Sequence, residues 1–191
     1  MTSQNDFLKK LIKVLNDCSI PYMLSGSFGS SFHGQPRATN DADIIIAPVE
    51  EQLISFVKSL GDDYYVNPDA ARDAFRNNSM FNVIDIQSSW KADFIIRKDR
   101  AFSREEFRRR RNVKLMELDI CMVSPEDMIL SKLEWAKNSE SDQQFRDALG
   151  VAVVQWDHLD KDYLLKWAKE LQVDGLLKQL LDQAKKLTDS K

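Results

Sequence analysis

Only two cysteines, Cys18 and Cys121, occur in 191 residues, far apart and each without a second cysteine nearby. That scarcity excludes a disulfide-stapled scaffold and a cysteine-based zinc site, and both thiols are expected to be buried. Long apolar runs are also missing: none approaches the ~20 residues that span a bilayer. The start "MTSQNDFLKKLIKVL" lacks the basic opening and unbroken apolar core of a signal peptide, so a cytoplasmic location without a membrane partner is expected. There is no long linker, low-complexity tract or domain-sized repeat. A net charge of −3 speaks against a generally basic nucleic-acid binder.

What is present is enough apolar residue, 43 %, for a substantial core in one domain or one domain with an appended lobe. Charge is unevenly spread. From Arg97 to Lys114 there are nine Lys or Arg against three Asp or Glu, which makes this segment +6 and the rest −9. A run of this kind is commonly a solvated face; a local anionic partner is the alternative.

Phe7, Leu8, Leu11, Ile12, Val14 and Leu15 recur at helical spacing and predict a first helix over about Asp6 to Asp17. "PYMLSG" reads as a short buried strand, "SFGSSFHG" as a turn entering a short helix, and "ADIIIA" as a second strand. A helix follows, with Pro48 in its first turn and Gly61 past its end, then a short strand at "DDYYVN" and a helix opened by Asn67 and Pro68. "MFNVIDIQ" and "KADFIIR" are expected to pair as a hairpin across "SSW". Ser103 and Glu106 form a capping-box pattern for a short helix whose arginines face solvent, and "VKLMEL" and "DICMVS" are strands at a sheet edge. From Ser124 onward only helices are expected: one capped by Ser124 and Asp127 with Pro125 in its first turn, then amphipathic segments near Asp142 to Val154, Lys161 to Leu171 and Gly175 to Leu187. The chain is thus an α/β (α+β) half, 1–123, followed by a helical region, 124–191.

Side chains alternate across a strand, so Asp41 and Asp43 share a face while Ala42 and Ile44 point the other way. Two carboxylates ~7 Å apart repel unless a positive group lies between them. A divalent cation is the natural candidate, Mg²⁺ or Mn²⁺ rather than Zn²⁺, because the donors are oxygen alone. Mg²⁺ commonly binds phosphates beside one or two carboxylates. Gly26 and Ser27 offer a place for such phosphates, since a helix opening at Ser27 has free backbone N–H groups and Gly26 permits close approach. Asp93 in "KADFII" is the preferred third carboxylate, being the more apolar in its surroundings, with Asp85 in "VIDIQ" as its competitor. Arg37 either contacts phosphate or caps a turn. His33 is expected to serve as a loop hydrogen-bonding residue, and Trp135, Trp156 and Trp167 as core.

A Gly-Ser pair, thirteen residues from Phe28 to Asn40, Asp-x-Asp in a hydrophobic strand and a later strand-borne Asp together resemble the signature of the nucleotidyltransferase superfamily of the DNA polymerase β type. The wider pattern "SGSFGSSFHGQPRATNDADI", with "SPEDMILSKLEWA" and "QQFRDALGV", resembles the AbiEii-like branch of toxin nucleotidyltransferases and their bacterial relatives. The resemblance spans roughly Tyr22 to Val151 and implies a nucleotidyltransferase fold, a mixed β-sheet flanked by helices. It further implies transfer of an NMP from an NTP to a hydroxyl, with Asp41 and Asp43 as ligands of both metals and Asp93 orienting or deprotonating the attacking hydroxyl. Gly26, Ser27 and Lys132 would hold the triphosphate; the competing reading of Lys132 is a snorkelling surface residue. Asp147 matches a later acidic position whose role stays open.

The acceptor is not written in these motifs. RNA, protein and small molecules are all compatible; the 97–114 segment favours RNA or an acidic protein, and the resemblance implies a toxin with an antitoxin partner. Two alternatives stand beside this reading: a non-catalytic antitoxin or regulatory partner of the same fold, and an antibiotic-modifying nucleotidyltransferase.

Overall fold

The computed structural model describes residues 3–36, 39, 41–115, 118–139 and 142–190. In chain order its elements are α1 (Gln4–Asp17), β1 (Tyr22–Leu24), α2 (Gly26–His33), β2 (Asp41–Ile46), α3 (Glu50–Leu60), β3 (Tyr64–Tyr65), α4 (Pro68–Asn77), β4 (Met80–Asp85) and β5 (Lys91–Ile96). They continue with α5 (Ala101–Arg108), β6 (Arg111–Leu115), β7 (Leu118–Met122), α6 (Pro125–Ser139), α7 (Asp142–Val154), α8 (Lys161–Glu170) and α9 (Asp174–Asp189). Two compact units result: Met1–Ser25 with Thr39–Met122, and Gly26–Ala38 with Val123–Lys191.

The first unit is built on a mixed seven-stranded sheet in the order β3-β4-β5-β2-β1-β7-β6. The β2/β5 and β1/β7 pairs are parallel and the others antiparallel. Alternation fixes which face of the central strands is buried. Ala42, Ile44 and Ile46 of β2 and Ala92, Phe94 and Ile96 of β5 are all buried, and they are register partners. Phe56 of α3 meets Phe94 at 4.9 Å between ring centroids, and Phe81 of β4 stacks on the same ring at 5.3 Å. Each such side chain contributes about 1.5–3 kcal/mol by leaving water. Phe7, Leu8, Leu11, Ile12 and Leu15 supply the buried stripe of α1, whose first turn is closed by a capping box between Ser3 and Asp6.

In the second unit, Ser124 accepts the Asp127 N–H and donates its hydroxyl to the Asp127 carboxylate, so the expected cap of α6 is formed. Tyr163 of α8 donates to the other carboxylate oxygen of Asp127. Helix α2, which the sequence boundary places with the first half, packs on α6 and α7. A Cβ at Gly34 would come 2.7 Å from the Val151 nitrogen, so only glycine lets the end of α2 approach the α7 backbone this closely. Gln155 then donates to the His33 carbonyl at 2.9 Å.

Several local expectations are corrected. Pro48 precedes α3, whose N-cap is Val49. Helix α5 starts at Ala101 behind Arg100, so Ser103 lies inside the helix and is buried, accepting from Arg100 Nε instead of capping. Both cysteines are half-buried, and Cys121 donates to Asn112 Oδ1. Trp135 is 62 % exposed, and Trp156 and Trp167 are half-buried rather than core. Among the described residues no helix is long and apolar enough to cross a membrane.

Candidate active site

The strands "DADIII" and "KADFII" carry the same alternation, and their parallel pairing sets Asp41 against Lys91 and Asp43 against Asp93. A slip of one residue would drive these charged side chains into the core and the isoleucines out, so burial of one face holds the register. The start of β2 is further tied down: Thr39 Oγ1 donates to the Asp41 carbonyl at 3.1 Å, and Gln4 of α1 donates to the Thr39 carbonyl at 2.7 Å. Ser25, just past β1, donates its N–H to the Asp43 carbonyl at 2.9 Å.

Asp93 is the most buried of the three carboxylates and is held from two sides. Asn82, its register partner on β4, donates to Oδ1, and Lys91 Nζ lies 3.2 Å from Oδ2. The same ammonium lies 3.4 Å from Asp41 Oδ2. Burial works against the Lys91 charge, but the hydrogen bond and charge of Asp93, with those of Asp41, outweigh it and raise its pKa above the ordinary lysine value. Among the described residues no three His, Cys, Asp or Glu side chains converge as a metal-holding group. Asp41 and Asp93 converge on Lys91 instead. The donor chemistry of these two still fits a hard divalent ion: carboxylate oxygens on one face of adjacent strands, with Asp43 on the same face and one positive charge already drawn in.

Asp85, the competitor for third carboxylate, closes the β4–β5 turn. Its Oδ1 accepts from the N–H groups of Gln87 and Ser88 and from the Ser88 hydroxyl, at 2.7–3.0 Å. Burial alone would raise its pKa; these bonds offset it and hold the carboxyl below the usual range.

The remaining predicted residues belong to the second unit. Gly26 opens α2 with φ +55°, in the left-handed region that favours glycine, and the Ser27 carbonyl accepts from Ser30. Arg37 lies outside the described residues. Lys132 does not snorkel: it is buried on α6, with Nζ 3.0 Å from Asp147 Oδ2 on α7, whose other oxygen accepts from Gln143. His33 ends α2 rather than lying in a loop, and its Nε2 bonds the Val123 carbonyl at 2.7 Å.

Much of the basic segment is engaged within the chain. Arg104 pairs with Asp99 at 2.6 Å and Arg108 with Glu105 at 2.7 Å, while Arg97 and Arg110 both lie over the Phe107 ring. Sequence reasoning missed Lys91 and Asn82. Lys91 stands two residues before Asp93 and so shares its strand face, a signal that was available; Asn82 needed the cross-strand register.

No family model matches the chain, and no curated protein matches it. Solved structures do. An antigenic nucleotidyltransferase-like protein from Paracoccidioides brasiliensis aligns at TM-score 0.65 and 14 % identity, covering 96 % of this chain and 89 % of that one. The lincosamide antibiotic adenylyltransferase LnuA, lincomycin-bound, aligns at 0.56 and 12 %, covering 81 % and 99 %. The antibiotic-resistance factor ANT(2'')-Ia aligns at 0.55 and 11 %, covering 100 % and 98 %. At these identities the likeness is one of fold, and the fold of this chain is that of the nucleotidyltransferases.

Proposed function

We propose that the chain transfers a nucleoside monophosphate from an NTP to a hydroxyl acceptor, with Asp41, Asp43 and Asp93 at the reacting centre. The observation that carries this reading is the in-register meeting of Asp43 and Asp93 on one sheet face, with Asp41 drawn to Asp93 through Lys91. Asp41, Asp43 and Asp93 are the residues that would hold Mg²⁺ or Mn²⁺, which when bound supplies charge against that developing on the transferred phosphoryl group. Asp93, the most buried of the three and held in place by Asn82, orients the acceptor hydroxyl or takes its proton. The acceptor oxygen then bonds the α-phosphorus as the bond to the β-phosphate bridging oxygen breaks and pyrophosphate leaves. Gly26 and Ser27 are assigned to the triphosphate. Lys132 is assigned to Asp147, as a buried pair joining α6 to α7, rather than to phosphate.

An RNA or acidic-protein acceptor, and with it a toxin role and antitoxin partner, leans on the 97–114 segment, where Arg104 and Arg108 are paired within the chain but the excess of +6, which already counts Asp99 and Glu105, remains. A small-molecule hydroxyl is the reading supported by fold likeness to antibiotic adenylyltransferases. The test is incubation with each α-labelled NTP, Mg²⁺, total RNA and cell extract, followed by separation of labelled RNA, protein and small molecules. Label in the small-molecule fraction, absent with the Asp41→Asn/Asp43→Asn double variant, is expected. No transfer above that variant with any NTP overturns the enzymatic reading.

A further inference from the structure

Lys91 stands where carboxylates from neighbouring strands need a cation. Because β2 and β5 are parallel and in register, Lys91 is the Cα partner of Asp41 and lies two residues from Asp93 on the same face. One ammonium thus reaches across to Asp41 at 3.4 Å and along its own strand to Asp93 at 3.2 Å. The Asp93 side chain is only 12 % exposed and that of Lys91 33 % exposed, so the pair between them is poorly shared with water. Oδ1 of Asp93 accepts from Asn82, and Oδ2 faces the Lys91 ammonium.

We propose that Lys91 is a resident counter-ion which a divalent cation must displace: the ammonium and the metal bind the Asp41 and Asp93 oxygens in exchange. This rests on the metal reading of these carboxylates given above. A metal about 2.0–2.1 Å from a carboxylate oxygen and an ammonium some 3 Å from the same oxygen repel each other across a few ångströms of partly dry space, so the two cations compete for those oxygens. The flexible four-carbon stem lets Lys91 swing clear. Before loading, the exchange keeps the carboxylates from repelling one another. On loading, it lowers metal affinity below that of the carboxylates alone.

The test is Mn²⁺ uptake by the full chain without nucleotide, followed by the electron paramagnetic resonance of free Mn²⁺, for wild type, Lys91→Met, Lys91→Arg and Lys98→Met. Lys91→Met is expected to bind about three- to tenfold more tightly, the range two partly exposed ion pairs supply. Lys91→Arg, which keeps a cation there, and Lys98→Met, which removes an exposed charge past the other end of β5, should stay close to wild type. Metal-free Lys91→Met should also melt at a lower temperature and regain the difference with Mn²⁺. Uptake with equal or weaker affinity in Lys91→Met overturns the exchange alone; no uptake by either chain overturns both the exchange and the metal reading. Should Lys91→Met not fold, the Lys91 Cε resonance of wild type, assigned by its loss in Lys91→Arg, serves instead. Its movement during a Mg²⁺ titration supports exchange, and a fixed resonance while the Asp43 and Asp93 amides shift overturns it.

Discussion

Asp43 and Asp93 are Cα partners across the parallel β2/β5 pair, although fifty residues separate them in sequence. Both follow a buried alanine and precede a buried apolar residue, so the packing that holds the strands in register also brings the carboxylates together.

Replacing each carboxylate by its amide separates chemistry from stability. Asp41→Asn, Asp43→Asn and Asp93→Asn should each abolish nucleotidyl transfer. Their folding costs should differ. The Asp41 side chain is 49 % exposed and its ion pair contributes about 0–1 kcal/mol, whereas Asp93 is nearly buried between two donors and should cost about 1–3 kcal/mol. Urea denaturation without metal checks the order, and full transfer in Asp41→Asn at saturating Mg²⁺ would remove that residue from the reacting centre.

The Lys132–Asp147 pair, with side chains 7 % and 6 % exposed, is nearly sealed from water. Lys132→Ala leaves a buried carboxylate without its cation and should destabilise the chain by about 3–5 kcal/mol. The double change Lys132→Met/Asp147→Leu removes both charges and should recover most of that loss. Equal stability in the single and double variants, read from denaturant midpoints, would show that the pair is solvated in solution.

Asp85 gives a pH prediction. Its folded-state pKa is depressed by the Ser88 and Gln87 bonds outweighing burial, so its stabilisation is present above the unfolded value of about 3.9 and is lost as pH falls through the lower folded value. Between about pH 6 and pH 2.5, wild type should lose denaturant midpoint more steeply than Asp85→Asn, which keeps an acceptor for the turn but cannot titrate. Parallel profiles would mean that another group governs the acid limb.

The legible parts of this chain are those governed by local pattern. Period-two alternation around Asp41, Asp43 and Asp93 was enough to place them on strands and on one face, and Ser124 with Asp127 announced the start of α6. The partners that finish the site were not legible in the same way. Asn82 meets Asp93 only through the β4/β5 register, and the Lys132–Asp147 contact depends on how α7 returns along α6. Competing local signals also misled. Ser103 and Glu106 have capping-box spacing, yet α5 begins earlier, with Phe102 and Phe107 buried. Trp135 sits roughly a third of a turn from the stripe of Ile129, Leu133 and Ala136, which leaves its ring outward.

The arginines of α5 decide between acceptor classes. Arg104 and Arg108 extend from exposed positions but are matched by Asp99 and Glu105 at 2.6 and 2.7 Å, so each presents little uncompensated charge to a polyanion. An RNA acceptor bound through them would release counterions, and its apparent affinity would fall steeply with salt. Arg104→Glu/Arg108→Glu is therefore expected to leave the acceptor KM and its salt dependence unchanged, measured on whichever fraction takes the label. NTP affinity should also hold, since neither arginine is assigned to the triphosphate. A raised KM with a flattened salt slope would restore RNA as the acceptor, because the arginines would then have exchanged Asp99 and Glu105 for phosphate. A matched loss of NTP affinity would instead put the triphosphate on α5 and away from Gly26 and Ser27.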